Sequence, residues 1–175
     1  EGDPNGDGYC LATRWAVSEF GGAGLARIAQ MWRMTCVEQG MDTLGRLGGA
    51  FNFVFADRHG NIGYQMSGLY PKRRKGASGL VPLPGWDPEN DWQGFARHED
   101  LPRCLNPEEG YFGTANDDLN RYGAVDPINM PMGPYRADRI DALLEQGDQL
   151  TPSDMFRMHF DVYSLQAEWF MEILR

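Results

Sequence analysis

FNFVFADRHGNIGYQMSG, residues 51–68, decides how the rest of this chain is read. Phe51, Phe53 and Phe55 alternate with Asn52, Val54 and Ala56, the two-residue period of a strand whose faces differ. Asp57-Arg58-His59-Gly60-Asn61 is turn chemistry, with an aspartate to open it and a glycine near its end. Ile62, Tyr64 and Met66 then alternate on the return. The stretch predicts an antiparallel hairpin over 51–67.

Upstream, Leu25, Ile28, Ala29, Trp32 and Cys36 recur at helical spacing. They predict a helix over 24–38 with that face inward, and a second short helix from Asp42 to Leu47. A short strand is expected from Tyr9 to Val17, after a turn at residues 3–8. Downstream, residues 71–109 are rich in proline and glycine. An excursion that long is ordered in a compact domain, so Trp86, Trp92 and Phe95 are expected to anchor it. Tyr111 to Thr114 reads as a further strand. Residues 134–146 read as a helix with Ile140, Leu143 and Leu144 inward. Thr151-Pro152-Ser153-Asp154 is a helix start, with a threonine cap, a proline in the first turn and an acid three after the cap. That helix carries Met155, Met158 and Val162, with a break near Tyr163. The chain is thus one α+β unit over 1–175, made of the hairpin, the excursion and a helical part over 134–175.

The formal charge of −9 argues against a nucleic-acid partner, because an acidic surface repels phosphate backbones. The basic run Lys72-Arg73-Arg74-Lys75 lies between Pro71 and Gly76 and reads as a solvated turn. No stretch approaches the roughly 18 apolar residues of a membrane span. Cys10, Cys36 and Cys104 are spaced neither as zinc ligands nor as a disulfide framework. The chain starts abruptly at Glu1 and stops at Arg175 inside an apparent helix, which reads as a piece of a longer protein.

Several patterns point nowhere. Asp3, Asn5, Asp7 and Gly8 match the opening of a calcium loop, but its twelfth position is Arg14, a cation where a bidentate glutamate is needed. His59, His98 and His159 show no metal spacing, and there is no GxSxG elbow. Asp117-Asp118 reads as a turn-initiating pair rather than a cation site.

Three stretches together carry more: FNFVFADRHGNIGY (51–64), LVPLPGWDPENDWQGF (80–95), and GYFGTANDD (110–118) followed by GPYRADRIDALLE (133–145). In order and spacing they resemble the penicillin acylase family of N-terminal nucleophile hydrolases, over most of residues 14–175. The resemblance implies part of an α/β/β/α sandwich with antiparallel sheet, and cleavage of an N-acyl amide bond. Penicillins, glutaryl cephalosporins and acyl-homoserine lactones are substrates of such enzymes.

By the same resemblance, Asn116 corresponds to the asparagine whose side-chain N–H holds the carbonyl oxygen in the tetrahedral intermediate. The bland alternative is a turn residue at the end of a strand. Arg136 corresponds to the active-site arginine; the alternative is a surface ion pair, for instance with Asp141. Phe51 stands where the family places a residue lining the acyl pocket, or is simply a strand residue beside Phe53 and Phe55. Asn52 is unassigned.

The chain departs from the family in two places. Its first residue is Glu1, whereas these enzymes attack with an N-terminal serine. Asp117 stands where many relatives carry a second asparagine. The resemblance therefore implies an interior-to-late piece of the β-chain, without cofactor, the family's calcium ligands lying outside it. Its expected partners are the α-chain, the N-terminal part of the β-chain and a small acyl amide substrate. Alone it is expected to be inactive and to self-associate through exposed core. The family is exported, so a periplasmic or secreted parent is expected. Two other readings stay open: a binding or scaffold module of a degenerate acylase, and a hydrolase using Cys10 or Ser164 with a histidine.

Overall fold

A computed structural model describes residues 8, 10–20, 23–125, 133–147 and 149–175. The hairpin forms as the sequence requires. Strand β1 (Asn52–Ala56) pairs antiparallel with β2 (Ile62–Met66), Ala56 opposite Ile62 and Asn52 opposite Met66. The aspartate of the turn closes it. Asp57 Oδ1 accepts from the N–H groups of His59 and Asn61 at 2.8 and 3.0 Å, and Gly60 takes a φ of +86°, open to glycine without strain. Asn61 in turn accepts from Asn106 Nδ2 at 3.0 Å, and Asn106 Oδ1 accepts from the N–H of Ile62 at 2.9 Å.

That second bond marks an element the sequence did not show. Strand β3 (Arg103–Leu105) lies within the proline-rich excursion and pairs antiparallel with β2, giving the order β1-β2-β3. The strand expected at 111–114 does not form; the segment lies outside the sheet without regular structure. Three residues are too few to show an alternating pattern, so the pairing is set by context.

Upstream, the long helix splits. Helix α1 (Ala23–Ala29) tightens into a 3-10 turn over Gln30–Arg33, and the chain is extended at Met34. Helix α2 (Val37–Gly45) starts afresh. The face expected to turn inward does not: Trp32 is 92% exposed. The buried stripe is instead Val37, Gly40, Met41, Leu44 and Gly45 of α2, at helical spacing. Glycines let this helix lie directly on the sheet. A Cβ at Gly63 of β2 would stand 2.4 Å from Val37 Cγ1 and 2.8 Å from Met41 Sδ. Met41 and Leu44 are fully buried there, each worth about 1.5–3 kcal/mol. Asp57 joins hairpin to helix, since its Oδ2 also accepts from the N–H of Val37, in the first turn of α2, at 3.3 Å.

Burial works to raise the Asp57 carboxyl, but the bonds from Asn61, His59 and Val37 outweigh it and hold its pKa at about 2. A depressed folded-state value means stability that is present above the unfolded pKa, near ~4, and is lost as pH falls through about 2. Thermal melts of the wild type and of Asp57→Asn should therefore converge as pH drops from 6 towards 2. Parallel curves would show that Asp57 does not couple folding to pH.

The stretch expected to be a strand over Tyr9–Val17 is irregular at 10–15 and a 3-10 turn at Ala16–Glu19, with Arg14 paired to Glu19 at 2.8 Å. The turn expected at 3–8 lies outside the described residues except for Gly8. The excursion is ordered, as expected. The N–H of Lys72 donates to the carbonyl of Gly94 at 2.9 Å and the Lys72 carbonyl accepts from the N–H of Gln93 at 2.8 Å, and Trp92 meets the edge of Phe95 at 6.0 Å beneath the Arg14 guanidinium. Trp86, the other tryptophan expected to anchor the excursion, is 72% exposed. His98 is a further anchor. It is buried, with Nε2 2.9 Å from Asp42 of α2 and Nδ1 3.1 Å from Glu99.

Helix α3 (Tyr135–Leu144) follows, then α4 (Pro152–Met158) and α5 (Leu165–Leu174). The Thr151 capping box forms with Asp154, and the expected break falls between α4 and α5. Phe156, Phe160, Val162, Trp169, Phe170, Ile173 and Leu174 are all exposed, so Val162 does not face inward. No helix among the described residues is long and apolar enough to cross a membrane.

Candidate active site

The sheet has two unlike faces. Gly63 and Gln65 look towards α2, while Tyr64, between them, points the other way. On β1 the residues sharing the Tyr64 face are Asn52, Val54 and Ala56. Segment 110–118 is laid on this face by one contact above all. Phe112 stacks on Tyr64 with ring centres 4.5 Å apart and planes 7° from parallel, and Tyr122 closes the group edge-on to Tyr64.

Beyond Phe112 the chain turns sharply. Asn116 has a φ of +63°, in the left-handed region that asparagine tolerates better than most residues. The two aspartates that follow build the turn, as expected. Asp117 Oδ1 accepts from the N–H of Ala115 at 2.9 Å, and Asp118 Oδ1 from that of Asn120 at 2.9 Å.

Arg136 enters from the first turn of α3. Its NH2 nitrogen donates to the carbonyl of Ala115 at 2.7 Å and to Oδ1 of Asn116 at 2.8 Å. A guanidinium can only donate, so this bond fixes the orientation of the Asn116 amide: oxygen to Arg136, NH2 outward. The alternative partner for Arg136, Asp141, makes no hydrogen bond to it among the described contacts. Arg139, one turn on, carries the inter-helix ion pair, donating to both oxygens of Asp161 at 3.0 and 2.7 Å and lying over Tyr163.

Asn116 and Arg136 open on a cavity of about 570 Å³. Phe51 lines it too, 56% exposed, with Asn52, Tyr64 and Thr114 around it. All three residues singled out from the sequence thus share one cavity. Phe51 also touches Phe53, ring centres 5.9 Å apart, so its pocket-wall and strand-residue readings are not exclusive.

Sequence reasoning left Asn52 unassigned and passed over Tyr64. The signal was the alternation itself, which puts Asn52 and Tyr64 on one face of paired strands. Tyr64, 1% exposed, donates its hydroxyl to Asn52 Oδ1 at 2.8 Å. Burial and then the charge of Asp117 push that hydroxyl well above the usual phenol range, so it stays protonated. Thr114 Oγ1 is buried without a partner among the described residues. Asp141, near Gly113, has its carboxyl raised by burial and by the neighbouring charges of Asp117, Glu145 and Asp138.

Among the described residues lining the cavity there is no serine, cysteine or histidine. Cys10 is exposed elsewhere, and the Ser164 hydroxyl caps α5 by accepting from the N–H of Ala167 at 3.1 Å. The arrangement can hold a negatively charged oxygen beside a neutral amide donor and a fixed cation. Among the described residues its lining offers neither serine nor cysteine, and its one aliphatic alcohol, Thr114 Oγ1, is buried.

The family model for penicillin amidase matches residues 3–174. An acyl-homoserine lactone acylase QuiP of Pseudomonas aeruginosa is 35% identical over 165 residues, covering 93% of this chain and 19% of its own length. Penicillin G acylase of Escherichia coli is 38% identical over 105 residues, covering 57% of this chain and 12% of its own. In fold, the chain matches the thermostable penicillin G acylase from Alcaligenes faecalis with a TM-score of 0.69 at 20% identity, over 81% of this chain and 26% of that one. That likeness bears out the α+β class and its antiparallel sheet as part of an N-terminal nucleophile hydrolase fold. The chain spans less than a fifth of the length of the curated relatives it matches.

Proposed function

The chain belongs to the penicillin amidase family, and on that premise we propose that its parent protein is an amidohydrolase that cleaves N-acyl amide bonds, with Asn116 and Arg136 in its oxyanion site. The observation that carries this reading is the bond from Arg136 to Asn116 Oδ1, which leaves the NH2 of this cavity-lining amide as its donor.

Attack on an amide places negative charge on its carbonyl oxygen. A donor already aimed at that oxygen favours the transition state over the substrate, because no dipole has to reorient as the charge develops. The attacking group in this reading is an N-terminal serine supplied by another part of the parent. Its α-amine, with an ordinary pKa near ~7.7–8, acts as base, and the Arg136 cation favours its neutral form. The acyl group passes to the serine, the amine leaves, and water releases the acid. Phe51 forms part of the acyl wall. An acyl-homoserine lactone or β-lactam amide is the favoured substrate class, in line with the names of the relatives. By the same family reading the parent is exported to the periplasm or beyond. Its α-chain and the N-terminal part of its β-chain cover the exposed apolar faces of α4 and α5, through which the isolated chain would self-associate.

The test is a comparison of the complete parent with the isolated 175-residue chain on N-acyl amides, including a chromogenic phenylacetyl amide. The parent should turn over and the isolated chain should be silent. Turnover by the isolated chain would place the nucleophile inside it; silence in both would leave a binding module.

A further inference from the structure

Resting on that reading of the cavity, we propose that Asn52 is a second carbonyl-binding donor, held by Tyr64, that selects substrates whose amine portion carries its own carbonyl. Two amides line this cavity, and both are fixed in the same way. Arg136 occupies the oxygen of Asn116, and the Tyr64 hydroxyl occupies the oxygen of Asn52. Neither NH2 group has a partner among the described residues, and each amide is left with donors to offer.

The orientation of Asn52 follows from burial. A phenol can donate or accept, so a bond of 2.8 Å alone does not say which. Tyr64, however, is 1% exposed, and its hydroxyl makes no other hydrogen bond among the described residues. Were the Asn52 NH2 to donate to it, the phenolic hydrogen would be buried and unsatisfied, a costly arrangement. The hydroxyl therefore donates, and the amide presents N–H groups. Phe112 stacked on one side and Tyr122 edge-on at the other fix the ring that fixes the amide. Asn52 itself is exposed at the start of β1, so its NH2 is open to a ligand.

What such a donor takes is a neutral acceptor. The scissile carbonyl is already served by Asn116 in this reading. A lactone or β-lactam amide has a second carbonyl, on the amine side of the bond. A simple anilide has none, and the contrast makes the inference testable.

The experiment uses the complete parent enzyme and two substrates, N-octanoyl homoserine lactone and N-octanoyl 4-nitroanilide. Asn52→Ala should lower kcat/KM for the lactone roughly 3- to 10-fold, the worth of one neutral hydrogen bond, and leave the anilide unchanged. Tyr64→Phe, which removes only the orienting hydroxyl, should shift the same ratio in the same direction. Asn52→Asp keeps the shape but offers only acceptors, and should cost the lactone at least as much as Asn52→Ala. Equal losses on both substrates, or none on either, would overturn the inference. Should the wild type cleave neither, calorimetric binding of the lactone separates the two ideas. Weaker binding by Asn52→Ala would uphold the donor while ending the hydrolase reading. Equal binding, or no binding at all, would end the donor as well.

Discussion

Replacing Asn116 by alanine in the complete parent enzyme should lower turnover by roughly 10²–10³-fold, the usual cost of one lost oxyanion donor. The loss should fall on kcat, since the bond strengthens only as charge develops on the substrate oxygen. Asn116 also sits at a φ of +63°, where alanine is strained on its own account. Asn116→Gly separates the two effects, because glycine adopts that backbone freely and still lacks the amide. Turnover should be as low in Asn116→Gly as in Asn116→Ala, while the glycine variant melts no lower than the wild type. Asn116→Asp gives a third view. The carboxylate would keep its bond to Arg136 and present an oxygen where an N–H is required, so it should be no more active than alanine. A near-normal rate in any of the three would remove Asn116 from the chemistry.

How far this site could be read from the sequence depends on which forces placed each residue. The hairpin was legible because its residues choose their own structure: alternating phenylalanines, an aspartate that binds its own turn, and a glycine at positive φ. The capping box at Thr151 was legible for the same reason, since donor and acceptor are three residues apart. Strand β3 was not, because its three residues become a strand only when β2 offers an edge. The helix over 24–38 failed through a competing choice. Cys36 is extended at the start of α2, and three of the five residues in the buried stripe of that helix are glycine or methionine, which a search for large apolar residues at helical spacing passes over. At the site, the chemical types of Asn116 and Arg136 stood out only through the family pattern. Their meeting across twenty positions is a tertiary fact, as is the burial of Tyr64 that orients Asn52.

Arg136→Ala should cost about 10²-fold in turnover although no part of Arg136 need touch the scissile bond, because a donor displaced by an ångström loses most of its effect. The guanidinium holds two oxygens at once, the carbonyl of Ala115 at 2.7 Å and Asn116 Oδ1 at 2.8 Å. Without it the Asn116 amide is free to rotate, and its oxygen can face the cavity as readily as its NH2. Arg136→Lys should recover only part of the loss, since an ammonium is a point charge without the planar fork of the guanidinium. The decisive measurement is the double variant with Asn116→Ala. If Arg136 acts through Asn116, the pair should be scarcely slower than the slower single variant; independent roles would multiply to roughly 10⁴-fold or more. A second readout isolates the charge. A nearby cation favours the neutral form of the attacking α-amine, so removing it should raise that pKa and move the acidic limb of the kcat/KM profile to higher pH. Arg136→Ala should show this displacement, Arg136→Lys much less of it, and Asn116→Ala none, because asparagine carries no charge to lose.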